Sequence, residues 1–198
     1  VMRVCNRCDE FYGVSAAVSQ LFLRYGARHL PLVLANGTDM TPLDNRKAGI
    51  AAINEKFSLP ADMPVFIFVG RITALKNVFF LADALSRLKD KNYKMLFVGD
   101  GKELPALKKH VSRLGLDGNV MFLGKITDRE TIKALFCRSK LFLFPSMYDA
   151  NSLVQNEAAS QSIPTVFMAG AVTASAVTDG VNGFIAPATA EGYAAKIE

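Results

Sequence analysis

The 198-residue chain is 51% hydrophobic and 21% charged, with a formal net charge of +5; this suffices for one good core, or for one domain plus part of another, and argues against disorder. No apolar run approaches the roughly 20 residues of a membrane-spanning helix, and VMRVCNRCDE at the start lacks the apolar centre of a secretory signal, so the sequence predicts a soluble, cytoplasmic protein. Cys5, Cys8 and Cys137 do not make a disulfide framework or supply the four ligands of a structural zinc site, and Cys5 and Cys8 are expected as reduced thiols on a helix near the start.

In the first 60 residues, FYGVS (11–15) predicts a short strand leading into a helix over 16–26, and PLVLANGTD (31–39) predicts a strand closed by an Asn-Gly turn. From residue 64 the pattern becomes regular. Apolar strands are expected at 64–70, 94–101, 119–124, 140–145, 164–168 and 183–186. Between them lie helical periodicities at 77–91, 103–115, 128–139 and 152–161, a short helix near 172–178 and a last helix from about 188. Asp128 reads as an N-cap and Gly115 as a helix end. Strands apolar on both faces, alternating with helices, predict a Rossmann-like parallel sheet covered on both sides.

Ligands of such sheets bind beyond the carboxyl ends of the strands. Arg71, Asp100, Lys125 and Asp149 each fall just after a predicted strand, so the pattern alone brings them to one edge. Arg71 and Lys76 sit in VGRITALKN (69–77) after one strand; Asp149 and Glu157, eight apart, follow another. Two cations facing two carboxylates suit a ligand that carries both phosphate and sugar hydroxyls. The turn Gly99–Asp100–Gly101 reads equally well as a plain tight turn. His29 and His110 are expected at the surface or in linkers, and Phe79, Phe80 and Leu81 in the core.

Charge is unevenly placed: residues 71–140 hold 15 Lys and Arg against 7 Asp and Glu, whereas 141–198 hold 1 against 5. Solvated helix faces account for this most simply, with attraction to a polyanion or an anionic membrane surface as the functional alternative. No basic motif interleaved with aromatics points to nucleic acid.

Six segments occur in the order found in one family: VSAAVSQLFLRYGARHLPLVLANGTDM, VGRITALKN, FVGDGKELPALKKH, VMFLGKI, LFLFPSMYDANSLVQNEAA and DGVNGFIAP. Together they resemble the family-4 retaining glycosyltransferases, whose GT-B architecture sets two Rossmann-like domains across a cleft. The resemblance covers nearly the whole chain. It implies that residues 41–198 form the carboxyl-terminal nucleotide-sugar-binding domain, cut short at its end, and that residues 1–40 are the end of the amino-terminal acceptor domain and a linker.

Carried over position by position, the resemblance implies that Arg71 and Lys76 hold the donor diphosphate and stabilise the leaving group, with Gly70 beside them. Glu157 looks like the second acid of the family's E-x7-E motif, which binds the donor ribose. Asp149 stands where the first glutamate faces the donor hexose. Asn151, Ser152, Leu153 and Val154 would present backbone N–H groups at a helix start to hexose and phosphate. Lys125 and Ile126 sit where the backbone meets the nucleobase. The chain departs from the family in Asp149, in Asn151 and Ser152 where glycines are usual, and in Ser162, also a glycine position.

The resemblance further implies retaining transfer of a hexose from a UDP-, GDP- or ADP-sugar to a glycan, glycolipid or small acceptor, without a metal or other cofactor. The acceptor would be held by the missing amino-terminal domain, so this chain alone would bind nucleotide weakly and transfer nothing. Peripheral association with the inner membrane face is compatible with the basic segment. A non-catalytic relative serving as a binding partner, or a nucleotide-sugar 2-epimerase, are the other readings; retention of Arg71, Lys76 and Glu157 weighs against the first, and the Asp149–Glu157 spacing with the VGRITALKN loop against the second.

Overall fold

A computed structural model describes residues 2–198. The amino-terminal part consists of α1 (Met2–Cys5), β1 (Tyr12–Gly13), α2 (Ala16–Arg24) and β2 (Leu32–Val33). β1 and β2 pair in parallel as a separate two-stranded sheet. Ser15 starts α2 by accepting a hydrogen bond from the Val18 amide. The strand expected over 31–39 is thus only two residues long, and Asn36–Gly37 lie in an irregular connection rather than a turn. Cys5 ends α1, whereas Cys8 lies beyond the helix; both are free thiols.

The rest of the chain contains α3 (Arg46–Lys56), β3 (Val65–Val69), α4 (Val78–Ser86), β4 (Lys94–Val98), α5 (Leu104–Arg113), β5 (Val120–Gly124), α6 (Arg129–Arg138), β6 (Leu141–Phe144), α7 (Leu153–Ser160), β7 (Thr165–Met168), β8 (Phe184–Ala186) and α8 (Ala190–Ile197). Short 3-10 turns occupy Ala74–Lys76 and Val172–Ala176, the latter in place of the helix expected near 172–178. The six strands β3–β8 form one parallel sheet in the order β5-β4-β3-β6-β7-β8. The chain therefore builds outward from β3 in one direction, then returns to its other side with β6. That reversal between β3 and β6 is the topological switch point of a doubly wound sheet.

Side chains alternate across the sheet as the pleat requires. Phe66 and Phe68 of β3 join Met95, Phe97, Leu143 and Val166 in a core beneath α4, α5 and α8. Val65 and Ile67 join Leu96, Phe142, Phe144 and Phe167 in a second core beneath α3, α6 and α7. Each fully buried aromatic or branched side chain contributes about 1.5–3 kcal/mol of burial. Met40 and Leu43 pack into the second core, and the buried Gln161 secures this approach by accepting from the Leu43 amide and donating to the Thr41 carbonyl.

The helix α3 was not expected, because RKAGIAAINEK has a weak apolar stripe and a central glycine. The structure explains that glycine. A Cβ on Gly49 would lie 2.5 Å from Leu43 Cδ2 and 3.3 Å from Ala134 Cβ of α6, so the glycine makes room for Leu43 where α3 packs on α6. Asn45, which accepts from the Ala48 amide, was the available start signal. Asp128 caps α6 as expected, and its hydrogen bonds from Thr131 hold the carboxyl below its ordinary range. α4 stops at Ser86, short of the expected 91.

Ser162, at the glycine position after α7, has φ +58° and an exposed side chain that makes no hydrogen bond among the described residues. An L-residue there costs about 1–2 kcal/mol, partly offset by the smaller entropy it loses relative to glycine. Ser162→Gly is therefore expected to stabilise by about 0.5–1 kcal/mol, read as a rise of about 1–4 °C in Tm.

Candidate functional site at the switch point

The loops leaving β3 and β6 meet at the switch point. After β3 the chain runs through Gly70, Arg71 and the 3-10 turn Ala74–Lys76, then turns on Asn77, which adopts φ +53°. Asn77 Nδ2 donates to the Pro145 carbonyl at 3.0 Å, and Ser146 Oγ donates back to the Leu75 carbonyl at 3.3 Å. Ser146 is almost completely buried. These two bonds fasten the loop after β3 to the loop after β6, and they fix where Lys76 emerges.

Lys76 Nζ lies 2.7 Å from both carboxylate oxygens of Asp149 and 5.4 Å from the centre of the Phe144 ring. The two side chains are 16% and 23% exposed. Attraction between them is therefore less screened than in a surface pair, and the ring face adds to the cation's stabilisation. Arg71 is exposed and enters no ion pair among the described residues. Of the two predicted cations, one is already neutralised by the predicted hexose-facing acid and the other is free.

The loop after β4 braces this arrangement. A Cβ on Gly99 would stand 1.9 Å from the Gly70 carbonyl oxygen, and one on Gly101 would stand 2.2 Å from that of Ile72. The Ile72 amide donates to the Asp100 carbonyl at 2.9 Å. The Gly-Asp-Gly segment is thus a platform for the Arg71 loop rather than a plain tight turn.

Lys125 and Ile126 follow β5 at the same sheet edge; Lys125 is exposed, and Ile126 packs on the second core. Ser152 precedes α7 without capping it through its side chain. Leu153 is exposed and Val154 packs against the core. Glu157, one turn further along α7, is half-buried, and its carboxylate has no partner among the described residues. Arg71, Asp100, Lys125 and Asp149 all lie just beyond the carboxyl ends of their strands, as the pattern predicted.

Asn151 was expected for its backbone N–H. The structure uses its other groups: Nδ2 donates to the Val14 carbonyl and its own carbonyl accepts from Asn36 Nδ2, both at 2.9 Å. Asn156 Nδ2 donates to the Asn36 carbonyl at 2.8 Å. Three asparagines thus tie the acid loop and α7 to the amino-terminal segment, contacts that sequence spacing alone does not reveal. Asn77 was within reach of the sequence reading, since Asn tolerates the left-handed region that a turn directly after Lys76 requires.

Part of the uneven charge is taken up by internal pairing. Lys76, Arg87, Lys89 and Arg129, all from the basic segment, pair with Asp149, Glu191, Glu198 and Asp39, all outside it. Arg138 is buried and donates to Asn54 and to the Pro60 and Met63 carbonyls. His110 is not a plain surface residue: its Nε2 lies 2.6 Å from Asp83 Oδ1, with Phe79 against the ring. A cavity of about 510 Å³ lined by Pro64, Leu88, Tyr93, Lys140 and Ile197 opens at the amino-terminal edge of the sheet, opposite the switch point. Among the described residues no three His, Cys, Asp or Glu side chains are grouped to hold a metal ion, and no helix is long and apolar enough to cross a membrane.

Known proteins resemble the chain in sequence and in fold. The chain is 30% identical over 150 residues to the lipopolysaccharide core biosynthesis glycosyltransferase LpsE of Rhizobium meliloti, covering 75% of this chain and 43% of that protein. It is 30% identical over 160 residues to the D-inositol 3-phosphate glycosyltransferase of Streptomyces griseus, covering 75% of this chain and 34% of that one. The crystal structure of Anabaena HepE with UDP-glucose superposes with a TM-score of 0.87 at 25% identity, covering 98% of this chain and 54% of HepE. The chain thus spans between about a third and a little over half of the length of these relatives. The fold is that of GT-B glycosyltransferases, and with residues 50–198 matching the family model, the chain belongs to the glycosyl transferases group 1 family.

Proposed function

We propose that the chain binds a nucleotide diphosphate sugar at the β3–β6 switch point and serves as the donor half of a retaining hexosyltransferase. The observation that carries this reading is the juxtaposition of Lys76, Asp149 and the free Arg71 at the carboxyl edge of the sheet. Arg71 and Lys76 would take the diphosphate, Glu157 the ribose, Asp149 the hexose, and the start of α7 with Asn151, Ser152, Leu153 and Val154 the sugar and phosphate. The loop at Lys125 and Ile126 would border the base. Breaking the sugar–phosphate bond develops negative charge on the diphosphate, and two fixed cations offset it in place of a metal.

Residues 41–198 make up the donor domain in this reading, and residues 1–40 belong to the acceptor side. Tyr12, Leu32, Val33 and Leu34 are exposed around the two-stranded sheet, a surface suited to the rest of an acceptor domain. The HepE structure holds UDP-glucose, which favours a UDP-sugar here. The relation to LpsE, a lipopolysaccharide core glycosyltransferase, favours a glycan or glycolipid acceptor. Retention of Arg71, Lys76 and Glu157 together supports a working site over a non-catalytic one.

The test is a calorimetric titration of the chain with UDP, GDP and ADP. One diphosphate is expected to bind, and Lys76→Ala and Glu157→Ala are each expected to weaken it about 10- to 100-fold, the value of a charge-assisted hydrogen bond. Affinity unchanged in both variants of a folded protein would overturn the assignment.

A further inference from the structure

In the free protein both oxygens of Asp149 are engaged by Lys76 at 2.7 Å, with the ammonium over the Phe144 ring and the two loops joined by the Asn77–Pro145 and Ser146–Leu75 bonds. A diphosphate that takes Lys76 must take it from Asp149. From this geometry, and resting on the donor-site reading above, we infer that Asp149 is a specificity-determining residue that makes the site favour the intact nucleotide sugar over the free nucleoside diphosphate.

The argument is one of exchange. Binding of a diphosphate withdraws the ammonium from Asp149 and leaves a carboxylate, three-quarters shielded from solvent, close to an anionic ligand. An unpaired, partly buried carboxylate is costly. An intact donor brings hexose hydroxyls that donate to the released Asp149 and offset this loss. The free diphosphate, left after transfer, brings none. In its complex Asp149 competes for Lys76 again, and recapture expels the diphosphate. The same contact therefore suppresses product retention and disfavours futile occupation by nucleotide without sugar. The fastening of both loops matters here: the Asn77 and Ser146 bonds hold the backbone beside Lys76 and ahead of Asp149, and the Asn151 bonds hold it just after Asp149.

The test compares UDP with UDP-glucose, GDP with GDP-glucose and ADP with ADP-glucose on wild type, Asp149→Asn, Asp149→Ser and Lys76→Ala, with thermal melts to confirm folding. Asn keeps the shape and one acceptor but removes the competing charge; Ser removes both. Both Asp149 variants are expected to bind the free diphosphate about 5- to 50-fold tighter than wild type, the range of a partly exposed charge-assisted contact. Affinity for the intact donor should rise less or fall, so the preference for donor over diphosphate narrows. Unchanged or weaker diphosphate binding by the folded Asp149 variants, with binding still dependent on Lys76, would overturn the exchange and leave the donor-site reading standing. No binding of any diphosphate by any variant, or binding indifferent to Lys76→Ala, would overturn both.

Discussion

Arg71→Ala in the full-length protein is expected to lower the rate of donor cleavage by about 10²–10³-fold while weakening diphosphate binding by no more than about tenfold. The asymmetry follows from the two cations' settings. Lys76 is largely shielded and bound to a carboxylate before any ligand arrives, so its field is already little screened in the open site. Arg71 is exposed and free of any ion pair among the described residues, so in the open site solvent screens it. On the proposed donor-site reading, its contribution should grow as water leaves the site and charge develops on the leaving diphosphate. An interaction that strengthens in the transition state lowers kcat when it is removed, and KM only slightly. Arg71→Lys should recover little, because an ammonium lacks the planar fork that spans two phosphate oxygens. The measurement is release of nucleoside diphosphate from the nucleotide sugar, with water as acceptor where no other is known. Equal losses in binding and rate would show that Arg71 acts only in holding the donor.

Gly99→Ala is expected to destabilise the protein by about 3–5 kcal/mol and to remove nucleotide binding with it. Gly99 has φ +138°, a conformation that a side chain resists, and the added Cβ would stand 1.9 Å from the Gly70 carbonyl oxygen. That neighbour is backbone, so no rotamer change relieves the clash. The β4 loop must then move away from the β3 loop, which breaks the bonds from the Gly70 amide to Val98 and from the Ile72 amide to Asp100. Arg71 sits between those two amides and loses its placement. Asp100→Ala is the control: the bond to Ile72 uses the Asp100 backbone, and its side chain only accepts from the adjacent Gly101 amide, so stability should change by about 1 kcal/mol or less. Urea unfolding of the three proteins reads both effects. A Gly99→Ala protein as stable as wild type would show that the two loops are free to separate.

The strand–helix alternation from residue 64 onward was legible because strands buried on both faces leave continuous apolar runs, and because helices that cover them keep a periodic stripe. The same logic placed Arg71, Asp100, Lys125 and Asp149 at one edge of the sheet, since in a parallel sheet every strand ends on the same side. Where the pattern was weak, it failed for identifiable reasons. α3 escaped notice because Gly49, which makes room for Leu43 where α3 packs on α6, also dilutes its stripe. Asn36–Gly37 read as a turn, yet the Asn36 side chain and carbonyl are taken by partners 115 and 120 positions away.

The sequence by itself determined the fold class and the sheet edge at which Arg71, Asp100, Lys125 and Asp149 gather, because these depend on periodicity and on the common direction of parallel strands. Only the tertiary structure decided that Asp149 is bound to Lys76, that the Gly99 loop carries the Arg71 loop, and that three asparagines join α7 to the amino-terminal segment. Each of these is a contact between segments distant along the chain, set by the strand order of the sheet, and a period of 2 or 3.6 residues carries no information about which strand lies beside which.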